Sequence, residues 1–410
     1  LLFLFSTPSI VSIVALGRRL LSKQVEASRN TNRSREAKMY PHLFSRIAVG
    51  GKELKNRITM APLYLGYAGQ GGTVSELILD HYRLMAKSGV AMVVVENATV
   101  DYPTGSGSNR TLRVDTDENL AGLSKLAAAM KGQGAIACLQ LNHAGRFAGM
   151  ADPALAPSVV QTFGRMPRAL TKEEMRTIAK KFAEAAVRVK KAGFDMVELH
   201  GGTGYLLSSF ISPRTNKRED EYGGSLESRQ RFPLEVVKEV KAAVGNFPVG
   251  YRFMADEWLP DGLKLAESVQ YARAVAGAGV AYLSVMGGTY ESFALPNVAQ
   301  ASRKEGYMVD LAAAVKKAVK VPVIAAGRIA TGAFAESVLA EGKADLIGLA
   351  RVLWADPEWP SKVKEGRENE IVQCEPDCDE TCTKLVTRGK TAFCVRWPHD
   401  KLQEWKAKVA

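Results

Sequence analysis

Residues 171–205 read TKEEMRTIAKKFAEAAVRVKKAGFDMVELHGGTGY, and their order decides the fold. Thr171-Lys172-Glu173-Glu174 is a capping box, the signature of a helix start. Apolar positions then recur with helical period to Lys191, and Gly193 stands where that helix should end. A short β-rich run, 194–200, follows and empties into a glycine-rich loop that ends at Tyr205. One helix, one strand and one polar strand end are thus contained in 35 residues.

The unit repeats along the chain. Further β-rich runs lie at 57–62, 90–96, 135–141, 248–254, 280–286, 321–326 and 344–350. They are apolar on successive residues rather than alternate ones, as strands buried on both faces should be. Helical periodicity returns between them, for example over 76–88 and 265–276, with Gly279 and Gly342 at expected helix ends. Eight strand–helix repeats predict an α/β fold, a (β/α)8 TIM barrel over residues 39–370. An open doubly wound sheet is the alternative, but no G-x-G-x-x-G follows the first strand.

The chain has 410 residues, 46% hydrophobic and 24% charged, which suits a packed core and excludes a disordered or collagen-like chain. No uninterrupted run of about 20 apolar residues occurs, so no membrane span is expected. Of the net charge of +12, residues 1–38 carry +5. No dense basic run follows, and Lys180, Lys181, Lys190 and Lys191 read as solvated helix faces rather than a nucleic-acid groove. The first 38 residues are apolar and then basic, the reverse of a secretory signal. They read as an organelle leader or as sequence upstream of a true start at Met39, and stand apart from the fold. Five cysteines are too few for a disulfide framework; four crowd into residues 374–394, which favours metal or cluster ligation in a reducing, cytoplasmic setting. Residues 371–410 therefore form a C-terminal cysteine-rich extension. Cys138, inside the third strand, reads as a small core residue.

Barrel chemistry belongs at the C-terminal strand ends. Those ends carry Ala61-Pro62-Leu63-Tyr64, Asn97, Gln140 through Arg146, His200 through Tyr205, Arg252, Gly327-Arg328 and Ala350-Arg351. So many polar groups at one end require a large polar ligand to pair them. The last two strand ends, with backbone N–H groups, Arg328 and Arg351, suit a dianionic phosphate.

These residues also carry a resemblance. Arg57-Ile58-Thr59-Met60-Ala61-Pro62, Gln140 to Arg146, His200-x-x-x-Gly204-Tyr205-Leu206-Leu207, and Phe210-x-Ser212-Pro213-x-x-Asn216-x-Arg218-x-Asp220-x-Tyr222-Gly223-Gly224-Ser225 occur in order, followed by Ala326-Gly327-Arg328-Ile329 and Ala344-Asp345-Leu346. From about Met39 to Trp397 the chain resembles the Old Yellow Enzyme family of FMN-dependent oxidoreductases. It is most similar to the branch with bacterial 2,4-dienoyl-CoA reductase, enoate reductases and trimethylamine dehydrogenase. The resemblance implies FMN over the barrel mouth, with Ala61, Pro62, Leu63, Tyr64 and Asn97 along its ring and Gln140 at its pyrimidine edge. Arg252 would sit beside the N1/O2 locus, and Gly327, Arg328, Ala350 and Arg351 around the phosphate. His200 would bind a substrate carbonyl and Tyr205 would give a proton to the α-carbon of an activated alkene, reduced at the expense of NAD(P)H. Thr203 departs from the family, which often has His, Asn or Glu there, and Tyr64 stands where Cys or Thr is frequent.

Cys374-x3-Cys378-x3-Cys382-x11-Cys394 falls where that branch binds a [4Fe-4S] cluster, with the first spacing one residue longer than usual. A zinc ion held by the four thiolates is the other reading. Electrons are expected either from NAD(P)H directly or from an electron-transfer partner protein feeding the cluster. Relatives are commonly oligomeric, but no interface signal is evident in the sequence. Two other functions stay open: an amine dehydrogenase or demethylase passing electrons through the cluster, and a non-flavin phosphate-binding barrel lyase.

Overall fold

The computed structural model describes residues 39–375, 378 and 381–409, so the expectations for residues 1–38 lie outside it. Eight parallel strands close a barrel: β1 (Ile58–Met60), β2 (Met92–Thr99), β3 (Ile136–Asn142), β4 (Met196–Gly201), β5 (Val249–Asp256), β6 (Leu283–Gly287), β7 (Val323–Ala325) and β8 (Leu346–Leu349). Each pairs with its sequence neighbours, and β8 closes on β1. The TIM barrel expected from the eight repeats is the fold observed.

The helices expected between strands form. They include α1 (Glu76–Lys87), α2 (Leu120–Lys131), α3 (Lys172–Lys191), α4 (Arg231–Val244), α5 (Leu265–Gly277), α6 (Val309–Ala318), α7 (Gly332–Ala340) and α8 (Trp359–Glu365). The capping box closes as read: Glu174 N donates to Thr171 Oγ1 at 3.2 Å, and Thr171 N donates to the Glu174 carboxylate at 2.8 Å. Helix faces bury Ile78, Tyr82 and Met85, Phe182 and Val189, and Val236 and Val240 against the strands. Each such side chain contributes about 1.5–3 kcal/mol of transfer free energy.

Inside the barrel, side chains stack in layers with the two-residue period of the strands. The lower interior is apolar: Met92, Val94, Cys138, Met196, Ile324 and Leu346 pack with Val49 and Leu54 of an antiparallel hairpin (Ile47–Val49, Lys52–Leu54) that plugs the bottom. Cys138 is fully buried there, the core role expected of it. Two residues further up, Gln140 and Glu198 meet, beside Arg252 and Ser284. Tyr282 reaches that layer across the interior, because a Cβ at residue 250 would lie 2.2 Å from its ring and Gly250 has none. The core thus turns polar toward one end, and that end is the mouth.

Past α8 the chain returns to the loop after β1 and to α1, where Lys408 Nζ meets Asp80 at 3.0 Å. Ala392 N donates to Leu65 O at 3.0 Å, Trp397 Nε1 donates to Trp354 O at 2.9 Å, and Cys394 is buried. No described helix is long and apolar enough to cross a membrane.

Candidate functional site

The site is assembled by the loops after the strands, and backbone strain concentrates there. Among the described residues, the non-glycine ones with left-handed φ are Phe163, Thr203, Trp258 and Arg328. They follow β3, β4, β5 and β7, all at the mouth, the pattern of a surface held for function rather than for stability.

At the base of the mouth, Gln140 Nε2 donates to Glu198 Oε1 at 2.7 Å, and Tyr282 O–H donates to Glu198 Oε2 at 2.9 Å. Glu198 therefore fixes the Gln140 amide so that its oxygen is left to accept, which suits the N–H of a pyrimidine edge. Arg252 Nη1 donates to Ser284 Oγ at 2.9 Å, and burial lowers the Arg252 pKa while the Glu198 charge opposes that shift. Burial likewise raises the Glu198 pKa, with Arg252 pulling it back. The register of β2 shifts between Val95 and Ala98, a bulge that re-aims Glu96 and Asn97. Asn97 is 8% exposed at this bulge.

Beside this layer lies a cavity lined by Ala61, Arg252, Tyr307, Gly327, Arg328, Ala350, Arg351 and Cys374. The residues expected around a phosphate are thereby brought together. Arg328 also donates to the carbonyls of Ser302 and Cys374, at 3.1 and 2.9 Å. Pro62, Leu63 and Tyr64 continue from Ala61 half-buried, with Tyr64 Oη 2.6 Å from Ser108 Oγ. Cationic side chains at one end and an amide aligned for a heterocycle edge fit the phosphate and ring of FMN.

His200 is 7% exposed and its Nδ1 accepts from Gly202 N at 3.2 Å, which leaves Nε2 to carry the proton. Burial, with Arg252 adding to it, drives the His200 pKa well below the ordinary range, so the ring is a neutral donor. Its ring lies 4.9 Å from that of Tyr205, edge to face. Burial pushes the Tyr205 phenol well above its usual pKa, so the proton is retained. Tyr205 Oη lies 2.7 Å from Tyr290 Oη, and Tyr290 is 40% exposed. Thr203 takes φ 61°, and its hydroxyl faces Met286 Sδ at 3.5 Å rather than a stronger acceptor.

Glu198 and Tyr290 had been assigned no role from sequence. A carboxylate two residues before His200 in an otherwise buried strand must be paired, and that was a usable signal for Glu198. Tyr290 opens a four-residue helix after β6, in a stretch without a motif, and offered none.

The cysteine expectation is not carried by the geometry. Cys374, Cys378, Cys382 and Cys394 are free thiols. Burial raises Cys394 to about 11, and the charges of the other three add to it, so all four share one region. Among the described residues, however, no group of three or more His, Cys, Asp or Glu side chains is arranged to hold a metal ion.

Comparison with known proteins shows the family of the chain. The chain is 44% identical over 343 residues to an NADH oxidase of Thermoanaerobacter brockii, covering 82% of this chain and 52% of that one. It is 36% identical to an NADPH dehydrogenase of Halalkalibacterium halodurans, covering 78% and 92% respectively. Among solved structures, a 2-naphthoyl-CoA reductase in complex with 2-naphthoyl-CoA superposes with a TM-score of 0.84 at 29% identity, over 90% of this chain and 58% of that one. The chain thus spans about half the length of some of its relatives. Residues 42–370 match the NADH:flavin oxidoreductase / NADH oxidase family. With four-fifths of its length matched and the barrel mouth built as described, the chain belongs to that family, the one its sequence resembles.

Proposed function

We propose that this chain binds FMN and, with NAD(P)H as reductant, reduces the C=C bond of an enone or enoyl thioester. When bound, FMN supplies hydride to the β-carbon. The chain's residues supply the rest. His200 Nε2–H donates to the substrate carbonyl oxygen, and a neutral imidazole does so without a charge that the buried site would have to solvate. Thr203 is the adjacent contact for the same end of the substrate. Tyr205 gives up its hydroxyl proton as the C–H bond forms at the α-carbon. Tyr290 O–H then returns a proton to the Tyr205 oxygen. Arg252 holds positive charge beside the ring edge, Gln140 orients that edge, and Gly327, Arg328, Ala350 and Arg351 bind the phosphate.

The observation that carries this reading is the placement of the Tyr205 phenol, edge to face with His200 and within hydrogen-bond reach of a second phenol. Tyr205 beside His200 suits an ene-reductase better than an amine dehydrogenase, and a substrate screen under both regimes separates the two. Membership of a flavin oxidoreductase family speaks against the barrel lyase. The [4Fe-4S] ligation by Cys374, Cys378, Cys382 and Cys394 stays a proposal with its own assay, iron and labile sulfide per chain in anoxically prepared protein. No step is derived from it.

The test is cofactor extraction followed by stopped-flow kinetics. Purified protein should release FMN, be reduced by NADH or NADPH, and be re-oxidised by 2-cyclohexen-1-one or crotonyl-CoA under anoxia. A protein that binds FMN but is not re-oxidised by either acceptor overturns the C=C assignment.

A further inference from the structure

Arg146 touches the immediate chain neighbours of both phenols. Its side chain is almost wholly buried, and Nη1 and Nη2 donate to Glu291 Oε1 and Oε2 at 3.1 and 2.5 Å. Glu291 follows Tyr290. On its other side, Arg146 Nε lies 3.4 Å from the carbonyl oxygen of Gly204, the residue before Tyr205. Nη1 also donates to Thr162 Oγ1 at 3.2 Å. The guanidinium stands 4.4 Å over the Phe147 ring, which meets Tyr205 and Tyr290 edge to face.

We propose that Arg146 is the positioning residue of the Tyr205–Tyr290 pair, holding the two phenols within hydrogen-bond reach by binding the residue next to each. This rests on the reading of Tyr205 as proton donor. Three features support it. The helix that carries Tyr290 (Tyr290–Phe293) is only four residues long, and its capping bonds at Thr289 are internal to it, so they do not fix it against β4. The nearest other cation, Arg214, lies 3.7 Å from Glu291 and gives its hydrogen bonds to Asp261, so it does not replace the bidentate pair. Gly204 takes φ +89°, and a Cβ there would lie 3.1 Å from Nη2 and 2.9 Å from Phe147, so the backbone before Tyr205 is pressed against the guanidinium and the ring beneath it. Losing Arg146 would leave a half-buried carboxylate without its main partner, and the short helix would move to solvate it.

The test uses the FMN-loaded enzyme with the variants Arg146→Met, Glu291→Gln, Tyr205→Phe and Arg146→Met/Tyr205→Phe. Crystal structures of wild type and Arg146→Met decide the positional claim directly. Phenol oxygens separated beyond hydrogen-bond reach support it, and a pair unchanged in the variant overturns it. In stopped-flow, Arg146→Met should slow re-oxidation by 2-cyclohexen-1-one about 10–100-fold, the cost of small misplacements at a reacting centre. FMN reduction should change by less than about twofold. The same loss should largely vanish on the Tyr205→Phe background, because a residue acting through Tyr205 has nothing left to position there. Losses that multiply in the double variant overturn the proposal. Should Arg146→Met fail to fold, Glu291→Gln, which keeps the shape and removes the charge, takes its place in each measurement. If Tyr205→Phe leaves re-oxidation intact, the proton-donor reading fails, and the crystal structures still decide the role of Arg146.

Discussion

Gln140 and Glu198, on adjacent barrel strands, are joined by a buried 2.7 Å hydrogen bond that fixes which end of the amide faces the mouth. Replacing Glu198 with Leu leaves the Gln140 N–H and the Tyr282 hydroxyl without their acceptor, at about 1–3 kcal/mol for each buried group. Apo-protein carrying Glu198→Leu should bind FMN at least about tenfold more weakly, measured by quenching of flavin fluorescence. Unchanged affinity would remove Gln140 from the ring edge.

Tyr205→Phe should leave reduction by NAD(P)H near wild type and slow the alkene half-reaction about 10²–10⁴-fold. Tyr290→Phe should act on the same half-reaction more mildly, because Tyr205 keeps its own proton for the first transfer. Stopped-flow in each half-reaction separates the two, and a Tyr290→Phe enzyme slower than Tyr205→Phe would reverse their order.

Glu96 supplies a pH dependence of stability. Burial raises its pKa from the ordinary carboxylate value to about 8, only partly offset by Leu65 N–H. The folded chain therefore binds more protons than the unfolded chain between roughly pH 4.5 and 8, so this group's contribution makes stability fall as pH rises through that window and level off above it. The total is on the order of a few kcal/mol. Glu96→Gln should flatten that slope in urea denaturation; an equal slope in both proteins would count against a protonated Glu96.

Asp356 and Lys362 form a buried ion pair at 2.8 Å, and Asp356 also accepts from Val372 N while Lys362 donates to Glu370 O. The pair ties the last barrel helix to the start of the cysteine-rich extension. Asp356→Ala leaves the buried ammonium to the exposed Glu358, 3.6 Å away, and the Glu370 carbonyl, and should cost about 3 kcal/mol, seen as a lowered Tm. A variant melting with wild type would show the pair to be replaceable.

The barrel was legible because its signals are local. Thr171 and Glu174 are three residues apart, and the strands announce themselves as short apolar runs ending in polar residues. The places of His200 and Tyr205 were legible for a related reason: they sit at a strand end and in the loop it feeds, where a barrel keeps its chemistry. Tyr290 and the Arg146–Glu291 pair were not, since their meaning lies in contacts between loops separated by a long stretch of chain, and sequence spacing does not encode which loops lean together. The cysteines show the converse. Their spacing is plain in the sequence, yet ligation depends on where four thiols point, and spacing alone does not fix that.

Arg328 borders the anion cavity and fastens the carbonyl of Cys374 with the same guanidinium. Occupancy of the barrel and grip on the tail are therefore harnessed to one side chain. An anion that engages Arg328 should stiffen one of the tail's anchors, so limited proteolysis of the loaded and the stripped enzyme should cut the cysteine segment at different rates.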